Sequence, residues 1–301
     1  MHLLSIADLT GDRIHCILNK AVEMKAEVRA GIFADVLKNK VLALVFHKPS
    51  LRTRVSFEVG MSQLGGRSVY ITDQEIGIGA RESIGDVARV LSRYVDGIMI
   101  RTFSHQIAVD LARAASVPVI NGLTDLLHPC QILSDLLTIQ EKRGDLEFLK
   151  VVYIGDGNNV ANSWLNAASV LPMSLTICTV KGQEPDKKIA ANAKAFAGSK
   201  VEVIYDPAEA VRDADVIYTD VWTSMGQEKE RGKRRKGMTS LQVNGALLRK
   251  APEDVIVMHC LPAHRGEEIT DEVIDGPNSV VLDQAENRMH LQKAILTGLI
   301  H

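Results

Sequence analysis

Short apolar runs recur along the chain, and amphipathic stretches of helical length separate most of them. Each run is continuous and rich in valine and isoleucine, which is typical of strands buried inside a parallel sheet. The alternation of such strands with helices predicts an α/β fold with parallel sheets. The predicted strands are 41–46, 97–100, 117–120, 151–154, 175–180, 201–204, 216–218, 255–258 and 280–282.

A domain boundary is predicted near residue 144. The helical stretch 129–142 ends before Gly144, a residue type that often terminates helices, and a new strand follows. A chain of 301 residues fits about two domains. We therefore expect a first domain of residues 1–143, joined by the C-terminal helix 285–301, and a second domain of residues 144–284. That last helix carries apolar residues along one face, at Leu291, Ile295 and Leu299.

Composition and charge exclude several function classes. The chain is 46% hydrophobic, and its formal net charge of -2 does not favour a nucleic-acid or membrane partner. Four scattered cysteines, without disulfide or metal spacing, suit a reducing compartment. The N-terminus lacks a signal-peptide pattern, and no apolar stretch is long enough to span a bilayer, so we expect a cytoplasmic protein. The basic run 233–236 lies in a charged segment, where a solvated loop is favoured over a phosphate or nucleic-acid patch.

The segment PSLRTR, residues 49–54, follows the first predicted strand and opens a helix. Ser50 stands at the helix N-cap, with Arg52, Thr53 and Arg54 in the first turn. Free backbone N–H groups and the helix dipole favour an anion at this end, where arginine alone is electrostatically unfavourable. The guanidinium fork also matches phosphate oxygens. The segment therefore predicts a phosphate site, with a capping serine and two surface arginines in salt bridges as the alternative.

A second candidate is HPCQ, residues 128–131. Pro129 suits the first turn of a helix, which places His128 at the cap and Gln131 one turn further on. Both side chains are able to hydrogen-bond a small polar ligand at this helix end. Taken alone, the pair is better explained as a helix cap resembling a capping box.

A third candidate is the segment VVYIGDGNNVAN, residues 151–162, in which a strand runs into Gly155-Asp156-Gly157. It matches a dinucleotide-binding fingerprint weakly, because Val160 replaces the third glycine and the next strand ends without an acidic residue. We favour a small ligand held by Asn158 or Asn159. The alternative is a tight turn with an asparagine in the left-handed conformation.

Two further strands end in reactive side chains. Asp220 follows the strand 216–218, at the sheet edge where such folds bind ligands, and its natural partner is a cationic amine. Cys260 follows the strand 255–258, which is a position suited to chemistry. The alternatives are a helix-capping aspartate and an inert buried cysteine. A metal site is not expected, because His259, Cys260 and His264 lack zinc-ligand spacing.

Together and in this order, SLRTR, HPCQ, GDGNN, DVWTSMG, HCLP and the arginine of ENRMH resemble the motif series of ornithine carbamoyltransferases. The resemblance extends from Leu3 to the C-terminus. It implies transfer of the carbamoyl group of carbamoyl phosphate to L-ornithine, giving L-citrulline and phosphate, by direct attack of the side-chain amine. It also implies two substrate-binding domains with the active site in the cleft between them, a homotrimer or a multiple of trimers, and no cofactor or metal. Arginine biosynthesis is the expected role.

The resemblance also implies residue roles. The catalytic residues are expected to be Arg101, His128, Asp220 and Cys260. Carbamoyl phosphate is expected to bind Ser50, Leu51, Arg52, Thr53, Arg101, His128, Gln131, Cys260, Leu261 and Arg288, with Leu51 acting through its backbone. Ornithine is expected to bind Asn159, Asp220, Ser224 and Met225.

Two positions depart from the family pattern. Leu51 stands where threonine is common, and Gly77 stands where some relatives carry a glutamine that reaches the phosphate in a neighbouring subunit. Three rival functions remain: carbamoyl transfer to another amine such as putrescine or N-acetylornithine, an NAD-dependent oxidoreductase, and a non-catalytic small-molecule-binding regulator. Retention of the Ser224-Met225-Gly226 element favours ornithine among the amines.

Overall fold

The computed structural model describes residues 1–77, 82–144, 146, 147, 149–222 and 237–301. The predicted α/β class with parallel sheets is confirmed. The chain divides into two compact units. The first unit comprises Met1–Leu137 and Glu286–His301, and the second unit comprises Thr138–Ala285. Within the described residues, none of the helices combines the length and apolar character that a membrane span requires.

The strands and helices are numbered here along the chain. The strands are β1 (Val41–Phe46), β2 (Arg67–Thr72), β3 (Gly97–Arg101), β4 (Val119–Leu123), β5 (Lys150–Ile154), β6 (Ser174–Cys178), β7 (Lys200–Ile204), β8 (Val216–Thr219) and β9 (Ile256–His259). The helices are α1 (Gly11–Arg29), α2 (Leu51–Gln63), α3 (Asp73–Ile76), α4 (Ile84–Tyr94), α5 (His105–Ala114), α6 (Pro129–Arg143), α7 (Asn159–Ala168), α8 (Lys187–Ala195), α9 (Pro207–Ala210), α10 (Gly245–Leu248), α11 (Asp271–Ile274) and α12 (Val281–Leu299).

The first unit is built on a parallel sheet in the order β2-β1-β3-β4. The chain passes from β1 to β2 on one side, and then returns past β1 to β3 and β4 on the other side. The direction of winding therefore reverses between β1 and β3, and ligands of open α/β sheets bind at such a point. The strand cores are fully buried because aliphatic side chains of β1 and β3 pack against helices α4 and α5.

The second unit is also built on a parallel sheet, in the order β7-β6-β5-β8-β9. Here the winding reverses between β5 and β8, which places the residues after Ile154 and Thr219 at the second switch point. Trp164 and Tyr218 are fully buried and meet edge to face at 5.7 Å. This aromatic packing supports the sheet directly below the carboxyl ends of β5 and β8.

Two strand predictions failed for identifiable reasons. Strand β2 escaped prediction because it lies at the sheet edge and its sequence, RSVYIT, mixes exposed with partly buried positions instead of forming an apolar run. The segment 280–282 was wrongly predicted as a strand. The chain makes one bridge there, between Ser279 and Val257, and α12 then begins at Val281. A short apolar run does not distinguish a strand from the first turn of a buried helix.

Candidate active site

The N-terminus of α2 is formed as the sequence predicts. Ser50 is the N-cap, and its Oγ accepts a hydrogen bond from the backbone N–H of Thr53 at 3.3 Å. Thr53 is fully buried, whereas Leu51 is 74% exposed. Arg54 pairs with Glu58 at 3.0 Å on the surface, so the surface-arginine alternative describes Arg54.

Two buried arginines converge on the Thr53 hydroxyl. Arg101, the last residue of β3, donates from Nη1 to Thr53 Oγ1 at 3.4 Å. Arg288, on α12, donates from Nη2 to the same oxygen at 3.0 Å. Both guanidinium groups are less than 10% exposed. Two buried cations beside a helix N-terminus produce a strongly positive potential, which favours an anionic ligand.

Gln131 belongs to the same cluster. Its Oε1 accepts from Arg288 Nη1 at 3.0 Å, and its Nε2 donates to the buried carboxylate of Asp135 at 2.9 Å. These two bonds fix the orientation of the amide, because its acceptor end faces the arginine. The capping-box alternative for Gln131 is therefore wrong. Asp135, one helical turn beyond Gln131, was not predicted as a site residue.

His128 directly precedes Pro129, the first residue of α6, and its side chain is buried. Burial, and then the positive charges of Arg288 and Arg101, hold the pKa of His128 well below its usual value of 6.5. The imidazole is consequently neutral at pH 7, and it carries one N–H donor without a charge.

A second cluster lies at the switch point of the second unit. Asp220 follows β8 and is 6% exposed. Its Oδ2 accepts from Asn158 Nδ2 at 2.8 Å, and its Oδ1 accepts from the Cys260 thiol at 2.9 Å and from the Val221 backbone N–H at 2.8 Å. The three side chains come from three different strand ends, and together they form an acidic, hydrogen-bonded group suited to a cation.

Asn158 is a member of this cluster, although the family resemblance implied Asn159 as the ornithine-binding residue. Asn158 caps α7, and its Oδ1 accepts from the backbone N–H groups of Val160 and Ala161. Its φ of -85° excludes the left-handed turn offered as the alternative. Its Nδ2 is thereby directed at Asp220. Asn159 is the first residue of α7 and is partly exposed. The signal was the N-cap preference for asparagine before a helical run.

The chain around Gly157 leaves no room for the pyrophosphate of a bound dinucleotide. Its N–H donates to Gln183 O at 2.8 Å, and an added Cβ would lie 2.3 Å from the backbone nitrogen of Pro185. The second glycine of a dinucleotide motif serves to admit the pyrophosphate. At Gly157 the chain itself occupies that position.

His259, which directly precedes Cys260, forms a buried pair with Glu268. His259 Nδ1 accepts from the Leu261 N–H at 2.8 Å, and its Nε2 lies 3.0 Å from Glu268 Oε1. His259 and Glu268 are fully buried, and Cys260 is partly exposed. Cys130, in contrast, is fully buried, and burial raises the pKa of its thiol to about 12. The inert-cysteine alternative describes Cys130 and not Cys260.

Ser224 and Met225 lie outside the described residues, as does the basic run 233–236. Gly77 ends α3 with a left-handed φ of 58°, a conformation that glycine adopts without strain. His264, Glu267 and Glu268 bring potential metal-ligand atoms within 4.8 Å of one another. One Glu268 oxygen already accepts from His259 and from the His264 backbone N–H, which gives this carboxylate a structural role.

Comparison with known proteins assigns both halves of the chain to one family. Residues 1–141 match the aspartate/ornithine carbamoyltransferase carbamoyl-P binding domain, and residues 147–299 match the Asp/Orn binding domain of the same family. The ornithine carbamoyltransferase of Syntrophus aciditrophicus is 55% identical over 298 residues, which cover 99% of this chain and 99% of that protein. The anabolic ornithine carbamoyltransferase of Pyrococcus furiosus is 52% identical over 297 residues, covering 98% of this chain and 94% of that protein.

A solved structure of the ornithine carbamoyltransferase from Pyrococcus furiosus superposes with a TM-score of 0.96. Its sequence is 51% identical, and the match covers 99% of this chain and 96% of that one. Two matched domain models and relatives of this similarity along the whole chain confirm the resemblance noted in the motifs. The chain therefore belongs to the aspartate/ornithine carbamoyltransferase family.

Proposed function

We propose that this protein is an ornithine carbamoyltransferase that converts carbamoyl phosphate and L-ornithine into L-citrulline and phosphate. The observation that carries the proposal is the convergence of Arg101 and Arg288 on Thr53 at the N-terminus of α2. A dianionic phosphate with an attached carbonyl matches this cluster, because backbone N–H groups and guanidinium forks bind phosphate. The full-length similarity to ornithine carbamoyltransferases supports the same activity.

In this proposal the first unit binds carbamoyl phosphate. The phosphate binds the first turn of α2, through Ser50, Arg52, Thr53 and the backbone N–H of Leu51. Arg101, neutral His128 and Thr53 donate to the carbonyl oxygen, while Gln131 binds the carbamoyl amide. Arg288 supports both parts because it already contacts Thr53 and Gln131.

The second unit binds ornithine. Asp220 pairs with a substrate ammonium group, and Asn158 and Cys260 hold the Asp220 carboxylate in place. Asn159 binds the amino-acid end, together with Ser224 and Met225. The buried carboxylate also separates this protein from aspartate carbamoyltransferases, since a dicarboxylic substrate would be repelled by Asp220.

The proposed transfer accounts for every bond formed, every bond broken and the amine proton without a cofactor. The neutral δ-amine of ornithine attacks the carbonyl carbon, and a C–N bond forms while the carbonyl becomes a tetrahedral oxyanion. Arg101, His128 and Thr53 stabilise that oxyanion, and each such donor is typically worth about a hundred- to a thousand-fold in rate. The C–O bond to phosphate then breaks, and the departing phosphate accepts the amine proton. Holding two substrates in attack geometry supplies much of the remaining acceleration.

Arginine biosynthesis in the cytoplasm is the proposed cellular role. One close relative is named as an anabolic enzyme, which supports that direction.

We also propose a homotrimer. Along α2, Leu51, Val55 and Val59 are 74%, 44% and 38% exposed and recur at intervals of four residues, which forms an apolar stripe beside the edge strand β2. Such a stripe is typical of a face that another copy covers.

The deciding experiment is a citrulline assay with carbamoyl phosphate and a panel of amines. We expect turnover with L-ornithine and at least tenfold lower kcat/KM with putrescine, N-acetylornithine and aspartate, by analogy with the discrimination that buried polar groups achieve. A preference for putrescine or N-acetylornithine would identify a different carbamoyltransferase. Binding of NAD by calorimetry, without citrulline formation, would identify the oxidoreductase alternative.

Assembly is tested separately by light scattering on the purified protein. The variant Val55→Glu/Val59→Glu should reduce the molar mass from that of a trimer, because two charges are placed on the stripe. Val22→Glu, on an α1 position of 39% exposure, is the matched control and should leave the trimer intact. A wild-type monomer, or a double variant that stays trimeric, would contradict this assignment of the stripe.

A further inference from the structure

We propose that Lys48 is a positioning residue that fastens together the three loops carrying the anion-binding side chains of the first unit. The inference rests on the proposed function, because it assigns Lys48 to the carbamoyl phosphate half of that site. Lys48 does not contact the reacting atoms in this proposal. It acts by fixing where Ser50, Arg101 and His128 present their donors.

Lys48 is buried, at 4% exposure, although lysine is rarely buried without a specific partner. Its Nζ lies 2.6 Å from Asp125 Oδ1. The same ammonium stands over the Phe103 ring, 4.0 Å from its centroid, which is within the range of a cation–π contact. One ammonium group thus contacts the loop after β4 and the loop after β3, while its own backbone belongs to the loop after β1.

Each contact lies next to a predicted ligand-binding residue. Lys48 precedes the N-cap Ser50 by two positions, Phe103 follows Arg101 by two, and Asp125 precedes His128 by three. Backbone hydrogen bonds join the same loops in pairs: Asp125 N–H donates to Phe103 O at 2.8 Å, and His47 N–H donates to Arg101 O at 2.8 Å. Lys48 adds a side-chain link common to all three loops.

The charge arrangement indicates positioning rather than general stabilisation. A buried ion pair contributes little net stability, since desolvation of the ammonium offsets its attraction to the carboxylate, and its best-supported use is to specify one conformation. Asp125 is 58% exposed on its side chain, which weakens the pair further as a source of stability. Loss of the link should therefore affect the geometry of the anion site more than the fold.

The test compares Lys48→Met, Lys48→Arg and Asp125→Asn. The control is Lys40→Met, which breaks another lysine–aspartate pair of the first unit, Lys40 with Asp96 at 3.2 Å, at the opposite end of β1. Carbamoyl phosphate affinity is measured by calorimetry, and KM for each substrate is measured by citrulline formation. Thermal unfolding is recorded for every variant.

We expect Lys48→Met to weaken carbamoyl phosphate affinity and raise its KM by at least about tenfold, because small displacements of binding groups have effects of this size. KM for ornithine should change less than about twofold. Lys48→Arg should restore carbamoyl phosphate KM to within about threefold of wild type, since arginine retains the charge and the aromatic contact. Lys40→Met should match wild type in both KM values. Asp125→Asn provides the same comparison through an exposed residue if Lys48→Met does not fold.

A merely structural role for Lys48 predicts a lower active fraction, hence a lower apparent kcat with both KM values unchanged, and that result overturns the inference. Equal rises in both KM values overturn it as well. The outcome is separable from the proposed function. If wild type binds carbamoyl phosphate but makes no citrulline, the proposed function fails while the affinity comparison still decides the role of Lys48. If wild type makes citrulline and all variants bind carbamoyl phosphate equally, only the inference on Lys48 fails.

Discussion

Replacing Asp220 by asparagine removes one negative charge and preserves the shape of the side chain. If Asp220 pairs with an ammonium of ornithine, the variant should bind ornithine far more weakly and bind carbamoyl phosphate almost normally. The carboxylate is 6% exposed, so the lost attraction is only partly screened by water. Two opposite charges at about 4 Å attract by about 4 kcal/mol at an effective dielectric constant of about 20. An amide dipole recovers part of this energy.

We therefore expect a net loss of about 3 kcal/mol in ornithine binding, which corresponds to roughly a hundredfold increase in KM for ornithine.

The hydrogen bonds of Asp220 predict a second effect, a loss of hydrogen bonding inside the cluster. Oδ1 of Asp220 accepts from both Cys260 and Val221, so the remaining oxygen of an asparagine should stay on that side. Its amide nitrogen then faces Asn158 Nδ2, and two donors oppose each other. A lost hydrogen bond of this kind costs about 1–3 kcal/mol, partly offset because a buried charge is also removed.

The assay is steady-state citrulline formation with ornithine and with putrescine, for wild type and Asp220→Asn. The preference for ornithine over putrescine should shrink, because putrescine lacks the amino-acid group that the carboxylate is proposed to bind. Asp213→Asn is the matched control: it removes the same charge from the same unit, where Asp213 is 70% exposed and pairs with Lys150. The control should change neither KM by more than about twofold. Wild-type ornithine kinetics and unchanged amine preference in Asp220→Asn would refute the assignment of Asp220 to ornithine.

Further predictions concern the remaining site residues. Arg52→Ala should raise the Kd of carbamoyl phosphate at least about tenfold by calorimetry, because a charged hydrogen bond to phosphate is lost, and an unchanged Kd removes Arg52 from the site. Cys260→Ser should lower kcat and weaken ornithine binding, with no carbamoylated Cys260 detectable by mass spectrometry on the wild-type reaction path; such an adduct would instead indicate nucleophilic catalysis. His128 has a folded pKa below its unfolded value, so the unfolded state binds the extra proton and stability falls as pH drops below about 6.5. His128→Asn should reduce that slope by up to about 1.4 kcal/mol per pH unit in urea titrations, and an unchanged slope contradicts the lowered pKa. Gly157→Ala should destabilise the fold by about 1–3 kcal/mol in the same titrations, whereas Gly237→Ala, whose added Cβ would have no atom of the described residues within 4 Å, should not; equal stabilities contradict the close approach to Pro185.

Local sequence patterns were sufficient for most of the secondary structure. Strand β1 has the predicted bounds, because its six consecutive apolar residues match the usual length of a buried strand and polar residues flank them. Helix α6 starts at Pro129 as predicted, since proline is accommodated in the first turn, and Gly144 adopts the positive φ of 85° expected after a helix. The same patterns placed Asp220 and Cys260 at the carboxyl ends of strands, where ligands of parallel sheets bind, and placed Ser50 at the start of the helix after β1.

The individual roles of those residues came from the family resemblance, because each motif alone had a plausible structural explanation. Gln131 illustrates the difficulty: its sequence context fits a helix cap, yet its side chain contacts Arg288 and Asp135. No local pattern identifies a residue such as Arg288, which lies in the middle of a long helix and 235 positions from Thr53, its hydrogen-bond partner.

The sequence by itself determined where most of the strands lie and where a helix such as α6 begins, because hydrophobic period, caps and glycine positions act over a few residues. Only the tertiary structure decided that Arg101, Gln131 and Arg288 meet around Thr53, and that Asn158 rather than Asn159 contacts Asp220. It also placed β2 at a sheet edge and turned residue 281 into the start of a helix. These features depend on strand order and on contacts between distant segments. Their energies arise from burial and hydrogen bonding between groups that are not neighbours in the chain.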